Sequence, residues 1–124
     1  VAADQVRVYS DEEIARVCYT LMVEIEDPDH GKLLPWNEIE PERQAAVVAC
    51  VQIAKGGASA RRVHEERVRL YTALGWDWAT YRDDIEHVAP AAADWHDLPE
   101  RLRYREQVFL MVVMTMSMGL PPEN

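Results

Sequence analysis

The chain has little lysine, only two cysteines, no long apolar run and no surplus of positive charge. Each shortage closes off a class of function. Its 13 basic residues stand against 22 acidic ones, a formal net charge of −9 at pH 7. Nucleic-acid binders take most of their affinity from neutralising phosphates with a basic surplus, so neither DNA nor RNA is an expected partner. The longest apolar-rich stretch, Val108 to Met118, is shorter than the about 18 to 20 residues that cross a bilayer, so no membrane span is expected. Val1 to Ser10 carry charges and no apolar core, so no signal peptide is expected there. Cys18 and Cys50 lie far apart within helical patterns, without metal-ligand spacing. They read as small buried hydrophobes in a reducing cytoplasm, which is the expected location.

What is present suits a single domain spanning residues 1–124, with tails at 1–10 and 119–124. A hydrophobic fraction of 48% is ordinary for a globular chain and argues against disorder. All the basic residues are arginine except Lys32 and Lys55. A GC-rich genome is the ordinary source of that bias; planar, bidentate anion contact is the sharper reading.

Periodicity predicts four helices. Ser10 with Glu13 forms a capping-box signal, after which Ile14, Val17, Cys18, Leu21, Met22 and Ile25 make one apolar stripe. Asp27-Pro28-Asp29-His30-Gly31 ends that helix. The second starts near Pro41, runs through Val47, Val48, Cys50, Val51 and Ile53, and stops at Gly56-Gly57. The third runs from about Ser59 to Leu74, with Val63, Leu70, Tyr71 and Leu74 inward and Gly75 as its left-handed stop. The fourth begins around Pro99 and continues to Met118, closed by Gly119. It is apolar nearly all round, which places it at the centre of the core or shares one face with a partner, a homodimer through its methionines included. Trp76 to Leu98 remains a long irregular segment, and loops of that length are usually functional or pinned by their own side chains.

Between His64 and Phe109 the chain carries His64-Glu65, Gly75-Trp76-Asp77-Trp78, Arg82-Asp83 and Trp95-His96-Asp97-Leu98-Pro99. Ile14 to Cys18, Pro35-Trp36-Asn37-Glu38 and Glu42-Arg43-Gln44 precede these, and Arg105-Glu106 and Phe109 follow. In order and spacing they resemble the RyR domain, the ryanodine-receptor repeat that also occurs as a stand-alone small protein in bacteriophages of actinobacteria. The resemblance implies a mainly α, four-helix domain with an irregular or hairpin-like Trp-rich excursion before the last helix. The chain departs from the family pattern at Arg67, where a tryptophan is usual, and at His87 and Ala89, where lysine and histidine are usual.

The resemblance also implies a non-enzymatic binding protein that captures a nucleotide-derived signal and so blunts a host defence. Trp76, Trp78 and Trp95 offer faces for a base, a stacking contact worth about 1–3 kcal/mol. Arg61, Arg62, Arg67 and Arg82 offer bidentate phosphate contacts, His64 a donor, and Asp83 completes the charged pair with Arg82. Core packing is the expected role of Trp76 and Trp95. Trp78, two residues from Trp76 and facing oppositely in an extended segment, is the better ligand candidate. The alternative is an interaction module that docks on a host or phage protein.

Enzymatic chemistry is not expected. His64-Glu65-Glu66-Arg67 lacks the second histidine of a zinc-protease helix, and Asp27 to Gly31 departs from a calcium loop. Asp83, Asp84 and Glu86 read as a solvated turn rather than paired catalytic carboxylates. No nucleophilic triad and no glycine-rich phosphate loop can be assembled, and no cofactor or metal is expected.

Overall fold

The computed structural model of the chain describes residues 8–25, 33–79 and 82–118. The Asp27 to Gly31 loop, the Gly119 stop and the outer parts of both tails lie outside the described residues. The fold is mainly α. Four helices, α1 (Asp11–Ile25), α2 (Pro41–Lys55), α3 (Ala60–Ala73) and α4 (Glu100–Ser117), pack pairwise around one core.

The helix ends follow local chemistry. At α1 the Ser10 hydroxyl accepts from the Glu13 N–H at 3.1 Å, and the Glu13 carboxylate accepts from the Ser10 N–H at 3.0 Å. This reciprocal box satisfies two otherwise orphaned donors; a cap of this kind contributes about 1 kcal/mol. Pro41 opens α2 in its first turn, where a missing N–H costs nothing. Ser59 caps α3 by accepting from the Arg62 N–H at 3.2 Å. Gly75, at φ +91°, then supplies the left-handed turn that ends it.

Ile14, Cys18 and Met22 of α1 meet Val47, Cys50 and Val51 of α2, Val63 of α3 and Phe109 and Val113 of α4. The α1 stripe differs from the expected one. Val17 and Leu21 are exposed, and Ala15 and Tyr19 turn inward instead. The rotation brings the Tyr19 ring to 5.7 Å from Trp36 and its hydroxyl to the Arg82 guanidinium. On α4 only part of the apolar circumference is covered: Phe109 and Val113 are buried, while Met111, Met114 and Met118 are 67%, 50% and 78% exposed.

The segment between α3 and α4 is largely irregular, with a tight antiparallel turn and one short parallel strand pair. Its strands β1 (Asp77–Trp78) and β2 (Val88–Ala89) pair in parallel, Asp77 with Val88 and Trp78 with Ala89. Asp83 adds an antiparallel bridge to Val88. The Asp83 carboxylate accepts from the N–H groups of Ile85 and Glu86, and His87 takes a left-handed φ of 59°. The chain thus loops round before re-entering alongside β1 in the same direction. Two 3₁₀ turns, Pro90–Ala92 and Trp95–Asp97, lead into α4. Among the described residues no helix is long and apolar enough to cross a membrane.

Candidate anion-binding cavity

Three charged residues on the helices fall on stripes that face the interior. Arg43 precedes Val47 by one helical turn and Cys50 by two, so α2 carries a guanidinium into the core. Arg67 follows Val63 by one turn on α3, and Glu106 lies between Leu102 and Phe109 on the inner face of α4. Arg105 and Arg82 are also buried, the latter delivered by the loop after β1.

Two carboxylates organise these cations. Asp84 accepts from Arg82 at Nε (2.9 Å) and Nη2 (3.4 Å) and from the Leu34 N–H (2.7 Å). Arg43 Nη1 lies 3.2 Å from the same carboxylate. Burial pushes the Asp84 carboxyl upward, but Arg82, Arg43 and the Leu34 N–H outweigh it and hold it below the usual range. Glu106 accepts from Arg67 Nε and Nη2, both at 3.2 Å, and lies 3.3 Å from His64 Nδ1. There too burial works upward, but Arg67, His64 and Arg105 prevail and hold the carboxyl down at about 2. His64 Nε2 donates to the Ala93 carbonyl at 2.7 Å, tying α3 to the irregular segment.

Arg43 is the least satisfied of these groups. It is 2% exposed, yet its Nε and Nη1 atoms have no hydrogen-bond partner. The Nη1 contact with Asp84 has ion-pair distance without hydrogen-bond alignment. Rings surround the guanidinium carbon instead, with centroids at 4.5 Å (Trp76), 5.4 Å (Tyr19) and 5.5 Å (Tyr71). His87 stacks on Trp76 at 5.2 Å, and its Nε2 meets Glu40 at 3.0 Å, which braces the indole.

Arg43, Arg67, Arg82 and Arg105 line one cavity together with Tyr19, Tyr71, Trp76 and Phe109. Its volume is about 40 Å³, room for about three water-sized groups. Ala89, Ala91 and Ala92 leave space where larger side chains would fill it. Among the lining residues Val68, Tyr71, Ala91 and Ala92 keep partial exposure, and they mark the opening. Phe109 supports Arg67 from below, with the guanidinium carbon 4.6 Å from its centroid. Cations, aromatic faces and the unsatisfied Arg43 Nε–H suit an anion. The Cys18 thiol beside the Arg67–Glu106 pair is pushed up to about 12 by burial and stays protonated.

A wider recess of about 400 Å³ adjoins it, and Val68 lines both. Arg61, His64, Glu65, Asp94, Trp95 and His96 form its remaining walls. Although larger, it offers an anion less: Glu65 and Asp94 oppose Arg61, and Glu65 lies 3.9 Å from that guanidinium. Arg103 sits over the Trp95 ring at 5.7 Å and holds it in place.

The residues singled out by sequence thus divide. Trp76, Arg67 and Arg82 meet at the arginine cavity; Arg61, His64 and Trp95 meet at the wider recess. Trp78 lines neither and is 56% exposed, because β1 turns it away from Trp76 toward solvent. Of the two neighbouring indoles, the buried Trp76 is the one that lines the cavity. Asp83 is also outside both, its carboxylate spent on the turn at Ile85 and Glu86. Arg62 is exposed and paired with Glu66 at 3.2 Å. Asp84, read as part of a solvated turn, is instead buried between Arg43 and Arg82. Arg43, Arg105 and Glu106 also meet at these clusters, beyond the residues singled out by sequence. Their signal was a charge on an apolar stripe.

Among the described residues no group of three or more His, Cys, Asp or Glu is placed to hold a metal ion. Comparison with protein-family models, curated proteins and solved structures found no match to the chain.

Proposed function

We propose that the protein is a non-enzymatic, RyR-like binding protein that captures a nucleotide-derived small molecule, the charged end held among Arg43, Arg67, Arg82 and Arg105. One observation carries this reading: four buried arginines and four aromatic rings line a single cavity that opens beside a wider recess. About 40 Å³ admits the anionic end of such a ligand and not the whole of it. The flat remainder passes over Val68 into the recess, where Trp95 offers a ring. Capture of this kind involves no bond breaking and acts by lowering the free concentration of the signal.

A thermal-shift screen against nucleotides and cyclic nucleotides tests the proposal. A ligand present at a hundred times its Kd stabilises a fold by about 2.7 kcal/mol, a clear rise in melting temperature. The absence of a shift with every member of the panel would remove the reading.

The exposed Met111, Met114 and Met118 on α4 favour a second reading, an interaction module that docks on a host or phage protein, or pairs with a second copy, through that face. Capture is preferred because the arginine cavity has no role in docking. A pull-down that loses its partner when Met114 becomes lysine, with ligand response absent, would reverse that preference.

A further inference from the structure

The wall of the arginine cavity carries four guanidinium groups and, among the described residues, no carboxylate. Asp84 and Glu106 hold the arginines from outside the lining. Arg43 keeps a buried Nε–H with no acceptor, and its Nη1 meets Asp84 at ion-pair distance without an aligned hydrogen bond, a condition rare enough in folded proteins to need a cause. Resting on the reading of this cavity as the anchoring point of the ligand, we infer that it selects a terminal phosphomonoester over a phosphodiester, with Arg43 reading the difference.

Three properties of the site converge on that choice. A phosphomonoester carries about −1.5 to −2 charge near pH 7 and three free oxygens; a diester has about one negative charge and two free oxygens. A wall of guanidinium groups, with the Arg43 Nε–H left to give, favours the head with more charge and more acceptors. The space is that of a chain end. Room for about three water-sized groups accepts a head bonded through one oxygen, whereas a diester carries carbon on two of its oxygens. The partly exposed lining residues lie together, where the Pro90–Ala92 turn packs on α3.

The test is isothermal titration of the full chain with nucleoside 5′-monophosphates, the matching 3′,5′-cyclic monophosphates, the parent nucleosides and inorganic phosphate. The 5′-monophosphate that binds best should do so at least about tenfold more tightly than its cyclic counterpart, a difference of about 1.4 kcal/mol, and inorganic phosphate should compete with it. Arg43→Gln should abolish that preference, with circular dichroism confirming the helical fold. If the variant does not fold, the comparison among ligands on the native chain stands alone. A cyclic nucleotide or a nucleoside that binds as tightly as the monophosphate overturns the inference and leaves the capture reading in place. Binding by none of them overturns both.

Discussion

The guanidinium of Arg67 on α3 holds the carboxylate of Glu106 on α4 through two hydrogen bonds of equal length, 3.2 Å, with both side chains buried. Buried pairs are costly to assemble and more costly to halve, because the remaining charge has nowhere to go. Glu106→Leu, which strands the Arg67 cation, should lower unfolding free energy by about 3–5 kcal/mol in urea denaturation. The double variant Arg67→Met/Glu106→Leu should recover most of that loss. Equal stability of the single and double variants would show that the pair is not what joins these helices.

Acid should unfold the protein through the same carboxylate. The folded state holds Glu106 down from its ordinary 4.5 to about 2, and Asp84 is displaced in the same direction. Their contribution to stability is therefore complete above the unfolded-state value and is lost as pH falls from about 4.5 toward 2. Melting temperature should drop steadily across that interval. In Glu106→Gln the drop should be shallower, and an unchanged slope would assign acid sensitivity to other groups.

The two neighbouring tryptophans should behave in opposite ways. Trp76 is 5% exposed, with Arg43 and His87 against its ring, and Trp76→Ala should cost about 3–5 kcal/mol. Trp78→Ala removes a ring that is mostly in solvent and should change stability by no more than about 0.5 kcal/mol. Similar losses in denaturant melts would mean that Trp78 packs in solution.

Arg43 offers a separation of folding from binding. Its Nε–H has no acceptor, Asp84 and three rings hold its charge, and Asp84 keeps Arg82 when Arg43 is gone. Arg43→Met retains the length of the side chain and removes the unmet donor together with the ion pair and ring contacts, so the opposing effects should leave melting temperature nearly level. The thermal response to a phosphorylated ligand should vanish. A large fall in stability would make Arg43 a structural cation and nothing more.

The helical frame was readable because it rests on local rules. Ser10 with Glu13, Pro41, Ser59 and Gly75 each act on their immediate neighbours, and each acts where expected. The cavity was harder to see because its residues come from all four helices and from the segment between α3 and α4. Arg67, Arg82 and Trp76 could be named from sequence, but their convergence with Arg43 and Arg105 is tertiary. Arg43, Arg67 and Glu106 left a usable trace, since a charge in phase with Val47, Val63 or Phe109 must be paired, caged or liganded. Asp84 left none: beside Asp83 in the chain, it differs only in which side of the turn it occupies. The parallel pairing of β1 and β2 was equally hidden, because His87 reverses the chain in a conformation that histidine seldom adopts.

The most direct measurement is nitrogen-15 NMR during titration of the native chain with the best-binding nucleotide, following the Trp76 indole N–H and the Arg43 Nε–H. Both signals should move together and saturate at one ligand per chain, with the Trp78 indole unmoved. Shifts confined to Trp78, or to the α4 amides around Met111 and Met114, with Arg43 and Trp76 silent, would contradict a ligand seated among the buried arginines.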